Sequence, residues 1–463
     1  MSTAIPQNHA RFLLSEISEI LGAPFGGEDE EIRGVRIDSR VILGGDCFIA
    51  LRGERFDGHD YLDEVAARGA RALIIEASYE GALPDGPQIF RVEEPLYALG
   101  ELARAHRARA KDLKVVGITG SAGKTGTKEL LAAIIREAGV SALITAGNLN
   151  NRVGLPMTLL SLEDEPLAIL EMGTSEIGEI ARLAEIARPD IGVITLIDAS
   201  HTEGLGGIEG VAREKAALFD ALVEDGWAIA CIDEARLAEI IESARARRLR
   251  FGRDEGADLQ ILDQRYSPSG TIISFERGGE RFQLETPLLG EPAVNQMAIA
   301  LLVSELLGIE REIVERAAAS IRPREGRLSL RERDGILFID DAYNANPRSM
   351  RAALELGREL ARGRGGRAFA LLGDMRELGA LEASAHREIL EFTGVDFYLV
   401  GDAFAEAAIG SERPIFESPM LAAAALLPHL KANDLVVIKG SRSMGMERAI
   451  PTLLGPSEER VER

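Results

Sequence analysis

The sequence predicts an α/β protein of three domains. A smaller amino-terminal α/β unit is expected over residues 1–112, a central P-loop ATPase domain with a mostly parallel sheet over 113–322, and a carboxy-terminal, Rossmann-like α/β domain over 323–463. The length of 463 residues suits about three domains of ordinary size. Short β-branched runs alternate with helical stretches along the chain, the pattern of parallel strands covered by helices. The run Val115-Val116-Gly117-Ile118-Thr119-Gly120-Ser121-Ala122-Gly123-Lys124-Thr125 leaves an apolar strand, crosses a glycine-bearing loop and enters a helix. That helix carries Leu130, Leu131, Ile134 and Ile135 on one face.

The hydrophobic fraction of 46% and charged fraction of 28% are those of a globular protein. With 53 Lys and Arg against 75 Asp and Glu, the formal charge is −22. Such a chain has no general attraction for nucleic acid or an anionic membrane surface. Anionic ligands must be held by local cations. Cys47 and Cys231 sit inside apolar runs, which favours buried thiols over a disulfide, and neither has metal-ligand spacing. There is no amino-terminal signal pattern and no apolar run of about 18 residues, so a cytoplasmic location is expected.

The first unit carries Arg36-Ile37-Asp38-Ser39-Arg40 and then Phe56-Asp57-Gly58-His59, followed by a helix near 61–68 and a strand near 70–75. Read alone, Asp38-Ser39-Arg40 is a polar turn. Polar groups and an arginine beside a glycine-bearing loop can also hold a phosphorylated ligand.

In the second unit, Gly120, Gly123, Lys124 and Thr125 form a phosphate cradle. Glycines admit backbone N–H groups to phosphate oxygens, the helix start adds a positive dipole, the lysine adds a charge, and the threonine hydroxyl can bind Mg²⁺. The usual spacing puts the first glycine at 118, where this chain has isoleucine, with Gly117 one residue further back. A Gly/Asn-rich loop follows, Gly147-Asn148-Leu149-Asn150-Asn151, then a strand over 167–172, a helix over 176–187 and a strand over 191–196. Glu171 and His201 fall at strand ends, where open sheets bind ligands. Beside a phosphate loop a carboxylate suits Mg²⁺. Lys215 lies in an evident helix, where a lysine is ordinarily solvated, and the arginine-rich stretch 245–253 reads as a solvated helix end and loop.

The third unit begins at the Pro/Gly-containing connector 321–327. A strand over 336–340 exits into Asp341-Ala342-Tyr343-Asn344-Ala345-Asn346-Pro347, with Asn346 or Ser349 as helix cap. Further strands over 368–372, 397–400 and 435–438 lead into Gly373-Asp374-Met375-Arg376-Glu377-Leu378-Gly379 and Lys439-Gly440-Ser441-Arg442-Ser443. Several polar loops on one sheet edge favour a cleft facing the nucleotide domain.

Together these motifs resemble the Mur ligase family over essentially the whole chain. The phosphate loop, Glu171-Met172-Gly173, His201 and the helix bearing Lys215 match the family at large. The loops at 341–347 and 373–379 are similar to those of the branch that joins D-alanyl-D-alanine to UDP-N-acetylmuramoyl-tripeptide. The ligase acting one step earlier would show an Asp-Asn-Pro-Arg motif, and this sequence has none.

The resemblance implies an ATP- and Mg²⁺-dependent amide ligase of peptidoglycan precursor synthesis, working through an acyl phosphate. A monomer is expected, and the acidic charge and lack of a long apolar run speak against nucleic-acid partners and membrane insertion. By the same resemblance Thr119, Gly120, Ser121, Ala122, Gly123, Lys124, Thr125 and Gly126 cradle ATP, and Asn295 contacts adenine. Arg327 and Asp341 close on the nucleotide from the third domain. Thr125 and Glu171 would hold one Mg²⁺, while His201 and a carbamylated Lys215 would hold a second. Lys124, Lys215 and His201 are the implied catalytic groups. Ser39, Arg40, Phe56, Asp57, Gly58 and His59 would hold the UDP substrate, with Tyr343, Asn344 and Asn346 at the incoming dipeptide.

Two departures stand out. The family commonly has glutamate two residues after the modified lysine, where this chain has Ala217. The stretch Gly290-Glu291-Pro292-Ala293-Val294-Asn295 is a shortened adenine loop without the family's histidine. The competing readings are another ligase of this fold, including a folylpolyglutamate-synthase relative, and a nucleotide-gated homologue that makes no bond.

Overall fold

The computed structural model describes residues 3–53, 56–198 and 202–455. His201 therefore lies outside the described residues. In the amino-terminal part, strands Val35–Arg36, Cys47–Ile49, Ala72–Glu76 and Gln88–Val92 pair in that order as an all-parallel sheet. Alternation decides its two faces: Cys47, Ile49 and Ile74 point into one core, Phe48, Leu73 and Ile75 into another. Helix Pro95–Arg109 packs on helices Gly154–Leu160 and Glu179–Ala187, so the first of these cores runs without a break into the central one.

The central sheet has nine strands. Strand Lys114–Thr119 lies between Leu167–Glu171 and Ile191–Ile194, all parallel. From Val115 on it is wholly buried, as a strand covered by helices on both faces must be. Three strands, Leu259–Ser267, Gly270–Arg277 and Glu280–Thr286, extend the sheet as antiparallel hairpins.

The arginine-rich stretch is not the helix end and loop expected of it. Arg247–Gly252 is a parallel strand of this sheet. Leu249 and Phe251 turn inward, while Arg248 and Arg250 pair outward with Glu242 and Asp258. Period-two burial beneath a run of charge is what makes it a strand.

The last sheet runs Ser329–Arg333, Ile336–Asp341, Leu435–Lys439, Ala368–Gly373, Asp396–Val400, Ile415–Phe416, parallel except at its first pair. Both cysteines are buried free thiols, and burial pushes the Cys231 thiol up to about 11. Among the described residues no helix is long and apolar enough to cross a membrane.

Candidate active site

The phosphate loop hangs between a strand and the helix Lys124–Glu137, whose cap Gly123 has φ +87°. The neighbouring strand exit holds it in shape. Ser121 N–H donates to the Leu196 carbonyl at 2.7 Å, and Ser121 Oγ donates to the Asp198 carbonyl at 3.0 Å. Thr195 Oγ1 donates to the carbonyls of Ala122 at 2.5 Å and Thr119 at 3.2 Å. Thr119, itself buried, donates to the Met172 carbonyl at 2.9 Å. Gly120 has φ +148°, and a side chain there would run into Thr195 and Leu196, so only glycine serves. Lys124 donates across the loop to the Gly120 carbonyl. Burial lowers its pKa and Arg327 lowers it further, with Glu171 opposing.

Glu171 closes its strand beside this loop. Its Oε1 accepts from Asn150 Nδ2 at 2.8 Å and from Thr125 Oγ1 at 3.2 Å. Its Oε2 is buried without a hydrogen-bond partner, 3.9 Å from Lys128 Nζ. An orphaned carboxylate oxygen next to a threonine hydroxyl is a donor set that fits Mg²⁺. Among the described residues no three His, Cys, Asp or Glu converge as a metal cage, so any such ion would rely on substrate oxygens as well. Lys128 is fully buried and donates to the carbonyls of Thr145 at 2.7 Å and Gly147 at 3.3 Å. It thus ties the phosphate-loop helix to the Gly/Asn-rich loop.

Lys215 departs from the solvated position expected of a helical lysine. It is only 2% exposed. Burial, reinforced by the charge of Lys124 and opposed by Glu214, brings its pKa down to about 7. A buried amine of that basicity has a substantial uncharged, nucleophilic fraction near neutral pH.

Asn295 does not lie in a loop. It sits in the second turn of helix Gly290–Leu306, and its Oδ1 is buried with no partner. That acceptor suits an exocyclic amino group. The next residue, Gln296, packs its carboxamide against Gly126.

From the third sheet, the carboxyl ends of two adjacent strands bring Asp341 and Lys439 together at 2.5 Å. Lys439 also donates to the Asn344 carbonyl at 2.8 Å. Burial raises the Asp341 pKa despite the nearby Lys439 and Arg327 cations. The exposed Tyr343 ring has Arg327 Cζ 4.1 Å and Arg442 Cζ 5.5 Å from its centroid. Asn344 is exposed. Asn346 is occupied as a cap, its side chain accepting from Ser349 N–H at 2.8 Å while Ser349 Oγ accepts from Asn346 N–H at 3.1 Å. The connector is fastened at both ends. Arg324 pairs with Glu129 of the phosphate-loop helix at 2.6 Å, and Gly326 N–H donates to Asp340 at 3.1 Å. Tyr343 N–H in turn donates to the Gly326 carbonyl at 3.0 Å.

At the amino-terminal sheet edge, Ser39 is buried and Arg40 is exposed, its guanidinium on Asp38 at 2.8 and 2.6 Å. Phe56 is 58% exposed. Asp57 accepts from Arg52 Nε at 2.9 Å, from His59 N–H at 3.0 Å and from His59 Nδ1 at 2.6 Å. His59 Nε2 accepts from Glu76 N–H at 3.1 Å. The buried imidazole is thus the Nδ1–H tautomer, with both nitrogens used inside the protein. Gly58 lies against the backbone of Ala50 and Leu51, where no side chain fits.

Three family models match successive parts of the chain: the "Mur ligase family, catalytic domain" over residues 31–107, the "Mur ligase middle domain" over 118–304, and the "Mur ligase, glutamate ligase domain" over 326–442. The UDP-N-acetylmuramoyl-tripeptide–D-alanyl-D-alanine ligase of Escherichia coli is 33% identical over 451 residues, covering 95% of this chain and 98% of that ligase. The chain belongs to the Mur ligase family. The Bacillus subtilis ligase of the same name is 33% identical over 92% of this Mur ligase and 94% of its own length. Among solved structures, MurF from Acinetobacter baumannii superposes with a TM-score of 0.84 at 29% identity, covering 97% of this chain and 99% of that one. MurF from Thermotoga maritima in complex with ADP gives 0.82 at 31% identity, over 90% and 96%.

In this Mur ligase, Thr119 to Gly126, Glu171, Lys215, Arg327 and Asp341 converge on one region, linked by the charge interactions of Lys124 with Glu171, Arg327 and Lys215 and of Arg327 with Asp341. The residues at 39–40 and 56–59 instead follow strands of the amino-terminal sheet. Reasoning from the sequence missed Lys128, Asn150, Lys439 and Arg442. Lys128 had a legible signal: it falls in helical phase with Leu131 and Ile135, on the buried stripe. Lys439 had one as well, as a lysine ending the fully buried strand Leu435–Lys439.

Proposed function

We propose that this Mur ligase is of the MurF type, joining D-alanyl-D-alanine to UDP-N-acetylmuramoyl-tripeptide with ATP in peptidoglycan precursor synthesis. What carries the proposal is an intact phosphate cradle in a chain similar, over 95% of its length, to a ligase of that name. The tripeptide's terminal carboxylate attacks the γ-phosphorus of ATP, and the bond to ADP breaks. The dipeptide amine then attacks the acyl carbon of the resulting acyl phosphate. A C–N bond forms, phosphate leaves, and the nitrogen gives up a proton.

The residues serve this chemistry by position and charge. Lys124 and the loop N–H groups hold the phosphates, and Asn295 Oδ1 accepts from the adenine amino group. Arg327 and Asp341 approach from the third domain. Thr125 and Glu171 would hold Mg²⁺, which when bound offsets phosphate charge. The uncharged amine of Lys215 adds to CO₂ with release of a proton, giving a carbamate whose oxygens suit a second hard cation. Arg40, Ser39 and Phe56 meet the UDP end, while Asp57, Gly58 and His59 shape the loop around it. Tyr343 and Asn344 face the dipeptide, and Asn346 fixes the helix behind them. The three units, 1–112, 113–322 and 323–463, divide these tasks in a cytoplasmic monomer.

The test is direct. With ATP, Mg²⁺, UDP-N-acetylmuramoyl-tripeptide and D-alanyl-D-alanine, the product mass equals tripeptide plus dipeptide less water, with one phosphate released per bond. Equal turnover with a single amino acid in place of the dipeptide would refute the assignment.

A further inference from the structure

We infer that Glu214 is a positioning residue, aiming Lys215 at the phosphate loop by fastening its helix to the turn that follows Glu171. The inference rests on the reading of Lys215 as a carbamylated ligand. Helix Ile208–Asp220 carries both residues, and both are buried.

The Glu214 carboxylate does not face the phosphate loop. Its Oε2 accepts from Gly178 N–H at 2.7 Å and its Oε1 from Ile180 N–H at 2.7 Å, with Thr174 Oγ1 3.4 Å from Oε1. Those two N–H groups open the helix Glu179–Ala187, whose cap residue Gly178 has no side chain to satisfy them. A glutamate from another helix therefore supplies the cap, and its charge lies at the positive end of the helix dipole.

The turn so held, Met172 to Gly178, is the direct continuation of the strand ending in Glu171. One carboxylate thus joins the segment after the proposed Mg²⁺ ligand to the helix bearing Lys215. The next residue along a helix points about 100° away. Glu214 can therefore anchor one side of the helix while Lys215 is presented on another, within reach of the Lys124 charge. A 10° roll of such a helix moves a lysine nitrogen by about 1 Å. A misplacement of that size can cost about 10²-fold in rate. Position 217, on the same face one turn on, is alanine, so no second carboxylate there shares the task.

The test uses the full-length enzyme with ¹³C-bicarbonate, reading the lysine carbamate resonance by ¹³C NMR beside kcat and the KM for ATP. In Glu214→Ala we expect circular dichroism unchanged, the carbamate signal and kcat each reduced at least tenfold, and the KM for ATP within twofold. The double variant Glu214→Ala/Ala217→Glu, which returns a carboxylate to that face, should recover part of both. If Glu214→Ala does not fold, Glu214→Gln decides by the same readouts, since its amide keeps one acceptor but not two. A folded variant with wild-type carbamate and kcat, and only a lower Tm, would overturn the inference and leave Glu214 a helix cap alone. A wild-type enzyme without the resonance would overturn the reading of Lys215 itself, and the inference with it.

Discussion

At the carboxyl edge of the central sheet, Thr119, Lys128, Glu171 and Lys215 are all buried, and neighbouring backbone or side chains fix most of their polar atoms. At the corresponding edge of the amino-terminal sheet, Arg40 and Phe56 stand in solvent, and the ionic groups pair with each other. Both are strand ends of parallel sheets, yet one is shaped before any ligand arrives and the other is provisional. An exposed pair such as Arg40–Asp38 is worth about 0–1 kcal/mol, so an incoming diphosphate can take over the arginine at little cost. Buried groups have no such freedom. On the proposed function, chemistry that must place a carboxylate against a nucleotide polyanion would sit at the buried edge, and the handle of the substrate at the exposed one.

Substitutions should separate the two edges. The largest effect is expected at Lys124→Met, where dipeptide-dependent phosphate release should fall about 10²–10³-fold. A loss under tenfold would mean that the cradle does not depend on its lysine. Lys215→Ala should lose about 10²-fold in ligation and regain part of it with added acetate, which can replace the missing oxygen ligand. Near-normal turnover without any added carboxylate would leave this buried lysine a structural residue. Arg40→Ala should instead raise the KM for the UDP substrate about tenfold with kcat held, as expected for a contact that binds without reacting. A fall in kcat with KM unchanged would erase the distinction between the edges.

The smallest effect concerns pH. Partial burial would raise the Asp57 pKa, but the His59 backbone N–H, the His59 ring and Arg52 outweigh it and hold the carboxyl below its usual value. The group therefore adds stability above the ordinary aspartate range, and that stability fades as pH falls through the lowered pKa. Thermal unfolding followed from pH 6 to pH 3 should show a smaller acid-induced drop in Tm for Asp57→Asn than for wild type. Parallel curves would show that Asp57 is not held by its partners.

How far the sequence told this story depended on whether a role was local. The cradle from Thr119 to Thr125 was legible because strand, loop and helix are contiguous, and the Asn346 cap because its partner lies three residues on. Glu171 was legible as a strand-end carboxylate, but nothing in its neighbourhood named Asn150 or Lys128, which reach it across the fold. The burial of Lys215 was not legible, since helical phase alone does not say what covers a given face, and its proposed role came from the family resemblance. The strand Arg247–Gly252 was missed because three arginines hid the period-two burial of Leu249 and Phe251. His59, expected at the substrate, is turned inward by Asp57 and Glu76, partners whose placement needs the sheet to be folded first.

The fastening of the connector also sets the mechanics of the third domain. Arg324 is moored to the phosphate-loop helix and Gly326 to the domain's own first parallel strand, so a swing of the domain about the connector would pivot at the short turn between them. Tyr343 is tied by its N–H to Gly326, so it would sit close to such a pivot. The far strand Ile415–Phe416, four places from Ile336–Asp341 in the sheet, rides the long arm. A swing of the domain would therefore sweep its outer edge through a wide arc while Tyr343 and Arg327 hardly travel. Distance labels on the outer strand would register a motion that labels near the active site would scarcely feel.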